Sequence, residues 1–83
     1  MQHLTIPLSD NLLISLNMNS DEVALSMRRE YAMKQYREGR LTLSQSAELC
    51  GMNIYDFMSL LSQNSIAVID YSPEELRREV AML

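Results

Sequence analysis

Few side chains here could do covalent or metal chemistry, and they are scattered. Cys50 is the one thiol and His3 the one imidazole in 83 residues. Together they fall short of the ligand set that a zinc or iron–sulfur site takes from one chain. A nucleophilic Cys50 would need a lowered pKa and a neighbouring base. The sequence offers neither cue, and a small buried thiol is the alternative reading. The adjacent carboxylates Glu74 and Glu75 follow Ser72-Pro73, where acids stabilise the first turn of a helix rather than form an acid–base pair. Tyr31, Tyr36, Tyr55 and Tyr71 are too dispersed for a base-stacking platform. The chain is therefore read as a non-enzyme, with no cofactor and no metal.

Recognition is the chemistry that remains. Arg28, Arg29, Lys34, Arg37 and Arg40 lie within thirteen residues, yet the chain carries a net charge of −4. An acidic chain has no general attraction to nucleic acid, so any DNA contact must draw on this cluster, above all on Lys34, Arg37 and Arg40. The same cluster also reads as a solvated helix face. Residues 41–69 carry only Glu48 and Asp56 as charges.

The most informative stretch is 43–62, LSQSAELCGMNIYDFMSLLS. Two helices joined by a tight three-residue turn need a small residue where they touch, a glycine in the turn, and apolar residues on the inner face of the second helix. Ala47, Gly51, and then Phe57 and Leu60 meet those needs, with Met52 plugging the turn. The spacing matches a helix-turn-helix of DNA-binding type, although any tight helical hairpin resembles it. The second helix turns Tyr55, Asp56, Ser59, Ser62 and Gln63 outward. Gln63 could read adenine, and Ser59 or Tyr55 could meet phosphates. Ser44 and Gln45 on the first helix and Asn53 before the second complete the candidate DNA-contacting set. Ile54 and Met58 read either as core or as a protein-binding patch.

These residues need elements to position them. Ser9 and Asp10 cap a short helix over Asn11–Asn17. Asn19 and Ser20, followed by Asp21 and Glu22, start a longer one that runs to Glu38 and stops at Gly39. Thr42 or Leu43 opens the third helix and Gly51 closes it. Asn53 caps the fourth, with Asp56 completing a loose capping box. On the long helix Leu25, Ala32, Met33 and Tyr36 form one apolar stripe, and Val23, Met27 and Tyr31 form another. The first is assigned to the core. The second is a candidate interface with a second chain, unless the N-terminal elements cover it. His3–Leu8 alternates as a short strand, limited by Pro7. Ser65–Asp70 is a β-branched run of strand length, and Ser72 to the C-terminus reads as a last helix. Met33 and Met52 read as core fillers, and Met27 and Met58 as interface candidates.

The fold class expected is mainly α: one small helix-turn-helix domain over 1–83, plus one or two short β-strands. The lone Cys suits a reducing cytoplasm. No apolar run approaches the ~18 residues of a membrane span, and no signal peptide is evident. Two Gly and two Pro leave little room for phosphate-cradling loops.

The stretch from Tyr36 resembles a family of small, uncharacterised bacterial and archaeal proteins. Its pattern runs from a Tyr through a basic stretch with Gly, then Leu-Ser, an Ala-Glu-Leu-Ala-Gly core and an aromatic-bearing helix. Gly-Ile and an acidic C-terminal helix follow. The corresponding residues are Tyr36, Arg37-Glu38-Gly39-Arg40, Leu43-Ser44, Ala47-Glu48-Leu49-Cys50-Gly51, Phe57 and Ile66. The N-terminal strand, Pro and Leu-Leu pattern is similar too. The chain departs at Ser46, Cys50 and Asn64-Ser65, where small residues or Gly are commoner, which bears on the turn before Ile66. The resemblance implies a helix-turn-helix antitoxin, often encoded beside a PIN-domain ribonuclease toxin. The motif, the basic cluster and the second apolar stripe add the expectation of a homodimer that binds its operator DNA. The alternative is a protein-interaction module that keeps the helix-turn-helix shape without binding DNA.

Overall fold

Helix boundaries follow the capping residues closely in the computed structural model, which describes residues 2–68. Four helices succeed one another: α1 Asp10–Leu16, α2 Ser20–Arg37, α3 Leu43–Cys50 and α4 Ile54–Gln63. Each N-cap side chain accepts a bond from a backbone N–H of the first turn. Ser9 serves Leu12, Asn19 serves Glu22, Thr42 serves Gln45 and Asn53 serves Asp56. Asn19 with Glu22, and Thr42 with Gln45, form complete capping boxes.

The four helices also end alike. A left-handed residue follows each one: Asn17 (φ 55°), Gly39 (φ 76°), Gly51 (φ 68°) and Ser65 (φ 58°). The next residue then donates its N–H back to a carbonyl five positions earlier. The bonds are Met18 to Leu13 (3.3 Å), Arg40 to Gln35 (2.9 Å), Met52 to Ala47 (3.0 Å) and Ile66 to Leu61 (2.9 Å). This is the Schellman closure, which satisfies the orphan carbonyls of the last turn.

One core forms where α3 and α4 meet the C-terminal half of α2. It is built from Ala32, Met33 and Tyr36, from Leu43, Ala47 and Cys50, and from Ile54, Phe57 and Leu61. Tyr36 and Phe57 pack edge to face, with ring centroids 6.1 Å apart, a favoured aromatic geometry. Ala47 is fully buried, as the small contact residue of a tight helix pair should be. Met52, Met58, Leu60 and Ile66 pack against the core from its margins.

The expected β-strands do not form, and the fold is mainly helical. Neither His3–Leu8 nor the described part of Ser65–Asp70 is a strand, and there is no strand among the described residues. At Ser65 the chain is committed to the left-handed closure of α4, and its neighbour Ile66 plugs the core edge. The β-branched run is thus used for packing. The N-terminal run is then left without a neighbour to complete a ladder, and Pro7 removes one of its donors. Residues 69–70 of that expected strand, and the helix expected from Ser72, lie outside the described residues.

The two stripes of α2 also divide differently from the expectation. Leu25 is exposed, because α3 and α4 pack on the other half of α2. Val23 is buried, whereas Met27 and Tyr31 are open to solvent. α1 buries none of its residues.

Candidate nucleic-acid interface

The α3–α4 pair is held by its turn. Gly51-Met52-Asn53 separates the two helices, and Gly51 occupies the left-handed region that an L side chain resists. Arg28 of α2 secures this turn from outside. Its Nε donates to the Leu49 carbonyl at 2.7 Å, and its guanidinium lies 3.6 Å from where a Cβ on Gly51 would stand. A cation on the carbonyl end of α3 also suits the helix dipole. The sequence counts Arg28 only as part of a basic cluster; its role depends on α2 crossing the end of α3, which no local pattern reveals.

α4 presents a clean division. Ile54, Phe57 and Leu61 are buried, while Tyr55, Asp56, Ser59, Ser62 and Gln63 are exposed. Ile54 is therefore core, and Met58 is half-buried against it. Tyr55, Ser59, Ser62 and Gln63 follow each other at helical spacing, so they line one outward face. That face is uncharged and rich in hydrogen-bonding groups.

The other candidate contacts are less free. Asn53 is spent on the cap: Asp56 N–H donates to its Oδ1 at 2.8 Å, and its Nδ2 donates to Asp56 Oδ2 at 3.0 Å. Gln45 Oε1 accepts the Thr42 N–H at 3.0 Å. Ser44 is half-buried, with its hydroxyl 3.5 Å from that of Thr42. Arg40 pairs with Glu38 at 2.7 Å and reaches Gln35 at 3.3 Å. That surface pair contributes about 0–1 kcal/mol. Lys34 and Arg37 are exposed and have no ion-pair partner among the described residues. Arg37 borders a cleft with Asn64, Ser65 and Ile66, so it stands near the C-terminal end of α4. The structure thus gathers Tyr55, Ser59 and Gln63 on one face and sets Arg37 near its end. Met27 and Tyr31 lie in a groove that none of the outward α4 residues line, and Lys34 and Arg37 line that groove with them.

Cys50 takes no part in this face. It is buried, and its thiol donates to the Arg28 carbonyl at 3.9 Å. Burial pushes its pKa up, against the opposing pull of Arg29 and Arg28. Among the described residues no His, Cys, Asp and Glu cluster could hold a metal ion, and no helix is long and apolar enough to cross a membrane.

Comparison with known proteins places the chain in a sequence family. Two proteins of Aeropyrum pernix, each described as a UPF0175 protein, are similar to the chain. One is 33% identical over 61 residues, covering 74% of this chain and 77% of its own length. The other is 31% identical over 65 residues, covering 78% and 72%. No solved structure matches significantly. The model of the uncharacterised protein family UPF0175 matches residues 1–83, and the chain belongs to that family.

Proposed function

We propose that this protein is a regulatory DNA-binding antitoxin: α3 and α4 meet operator DNA, and another surface of the chain binds a partner nuclease. The observation that carries the reading is the exposed face of α4, with Tyr55, Ser59, Ser62 and Gln63 directed outward from a helix pair joined by a three-residue turn. Such a helix can enter a major groove and offer hydrogen bonds to base edges. Lys34 and Arg37 supply the uncommitted cations for phosphate. The antitoxin part rests on the resemblance of the stretch from Tyr36. The reading is of a binding protein rather than an enzyme, and the buried, poorly ionised Cys50 thiol supports that.

A second reading, a protein-interaction module without DNA binding, is favoured by one observation. The α4 face holds no cation, and the side chains of Asn53 and Arg40 are already committed. A mobility-shift titration on the DNA upstream of the reading frame separates the two. The first reading expects binding at ~50 mM salt, alone or with the nuclease, that weakens steeply as salt rises. Replacing Lys34 and Arg37 together with Ala should lower the salt slope by ~2 and weaken all sequences alike. Ser59→Ala with Gln63→Ala should instead cost ~1–3 kcal/mol on the preferred sequence alone. No shift under any of these conditions leaves the second reading.

A further inference from the structure

Four kinds of side chain tell the bases apart in a major groove. Arg or Lys takes guanine, Asp or Glu takes cytosine, Asn or Gln takes adenine, and an apolar surface takes the thymine methyl. The α3–α4 pair withdraws most of these readers through its own hydrogen bonds. α4 carries no Arg or Lys. Its acid, Asp56, is turned back on the cap, where Oδ2 accepts from Asn53 Nδ2 at 3.0 Å. Asn53 is spent in the same exchange. Asn64 Nδ2 donates to the Leu60 carbonyl at 2.8 Å. Gln45 Oε1 accepts the Thr42 N–H at 3.0 Å, so Gln45 lacks the acceptor half of an adenine fork. Gln63 is left. It is exposed, and its carboxamide makes no hydrogen bond among the described residues.

We propose that α4 reads A·T base pairs and no guanine, with Gln63 on an adenine and Tyr55 on a thymine methyl. This rests on the reading that α4 enters a major groove. Gln63 Nε2 donates to adenine N7, and its Oε1 accepts from the adenine amino group. Tyr55 is 59% exposed and sets its ring against the thymine methyl. Met58, three residues on and half-buried, extends that apolar surface at the margin of the same face. Ser59 and Ser62 offer single hydroxyls, which bond to any base edge and discriminate little. Tyr55 and Gln63 are eight residues apart, about 12 Å along the helix. The thymine and the adenine therefore stand about 3–4 steps of ~3.4 Å apart. Lys34 and Arg37, on α2, stay with phosphates, which carry no sequence information.

Selection of randomised duplexes by the full chain at low salt, followed by base-analogue substitution, tests it. The selected core should consist of A·T pairs. 7-Deazaadenine lacks only the N7 acceptor, and at one adenine of that core it should weaken binding roughly 3–10-fold. Gln63→Ala should bind the two duplexes alike. Uracil for thymine removes only the C5 methyl and should weaken binding about 4-fold. Tyr55→Phe should keep that difference, and Tyr55→Ala should lose it. Far-UV circular dichroism should be unchanged, because both residues are exposed. 7-Deazaguanine at any guanine should have no effect. A selected core of G·C pairs that 7-deazaguanine weakens overturns the proposal while leaving α4 a DNA reader. Binding without sequence preference also overturns it and reduces the contact to phosphate. So do adenine and thymine effects that Gln63→Ala and Tyr55→Ala both leave unchanged. No binding to any duplex removes the DNA reading itself, and this proposal with it.

Discussion

Ser65 is the left-handed closure with the least suitable residue, so Ser65→Gly should stabilise the protein. Its φ of 58° is shared only with Asn17 among the non-glycine residues described. An L residue in that region gives up about 1–2 kcal/mol relative to ordinary backbone. Glycine adopts it freely but loses roughly 0.5–1 kcal/mol more chain entropy on folding. The difference leaves a net gain of about 0.5–1 kcal/mol. Nothing offsets this, because Ser65 is exposed and its hydroxyl makes no hydrogen bond among the described residues. For a domain of this size the gain raises Tm by about 2–8 °C. Urea denaturation followed by circular dichroism should show a higher midpoint with an unchanged slope. Ser65→Ala is the control. It keeps the backbone penalty and should stay within ~0.5 kcal/mol of wild type. Ser65→Val should lose at least about 1 kcal/mol, since a branched side chain resists the left-handed region most. If Ser65→Gly proves no more stable than wild type, the Schellman closure of α4, and the path assigned to Ile66, are wrong.

Other substitutions probe the helix pair itself. Arg28→Ala removes the bond to the Leu49 carbonyl and should cost about 1 kcal/mol in denaturant melts, at the low end for a charged donor because the site is exposed. Phe57→Ala should cost about 3–5 kcal/mol, most of the stability of a chain this short, so the purified variant should show no cooperative thermal transition. Cys50 gives a pH signature. Burial raises its pKa in the folded chain above the ordinary 9.0, so the folded state binds the thiol proton more tightly than the unfolded state. Its contribution is complete below pH 9.0 and fades as pH rises above that value. Stability measured from neutral to alkaline pH should therefore fall more steeply for wild type than for Cys50→Ala.

The capping chemistry was readable because it is local. Asn19, Thr42 and Asn53 each place a side-chain acceptor within four residues of the N–H it serves, whereas the return bonds of Glu22 and Gln45 that complete two capping boxes go unread in the sequence, where Gln45 is assigned to DNA instead. Gly39 and Gly51 mark two of the closures for the same reason. Ser65 makes the same closure without a glycine, so Ser65–Val68 reads as a strand start although the backbone has turned left-handed there. Alternation in His3–Leu8 records a preference for extended backbone, but a ladder needs a neighbour that periodicity cannot supply. On α2, helical phase groups Leu25 with Tyr36, yet the core shared with α3 and α4 begins only at Ala32. Phase describes direction around the axis and is silent about how far along it the neighbours reach. The outward residues of α4 were legible because the whole of that short helix lies on the core. The commitment of Asn53 to its cap follows from the same capping rule that places it before α4. Arg28's hold on the turn depends on tertiary crossing and was not legible.

The claim on which the functional account rests is that the outer face of α4 meets DNA. Amide NMR spectra of the uniformly labelled protein, recorded with and without the upstream DNA at low salt, test it most directly. The account predicts that the resonances of Tyr55, Ser59, Ser62 and Gln63 move, with those of Lys34 and Arg37, while Leu4 and Ile6 stay in place. Spectra unchanged by DNA, or changes confined to the α1 and Met27–Tyr31 side, would contradict it.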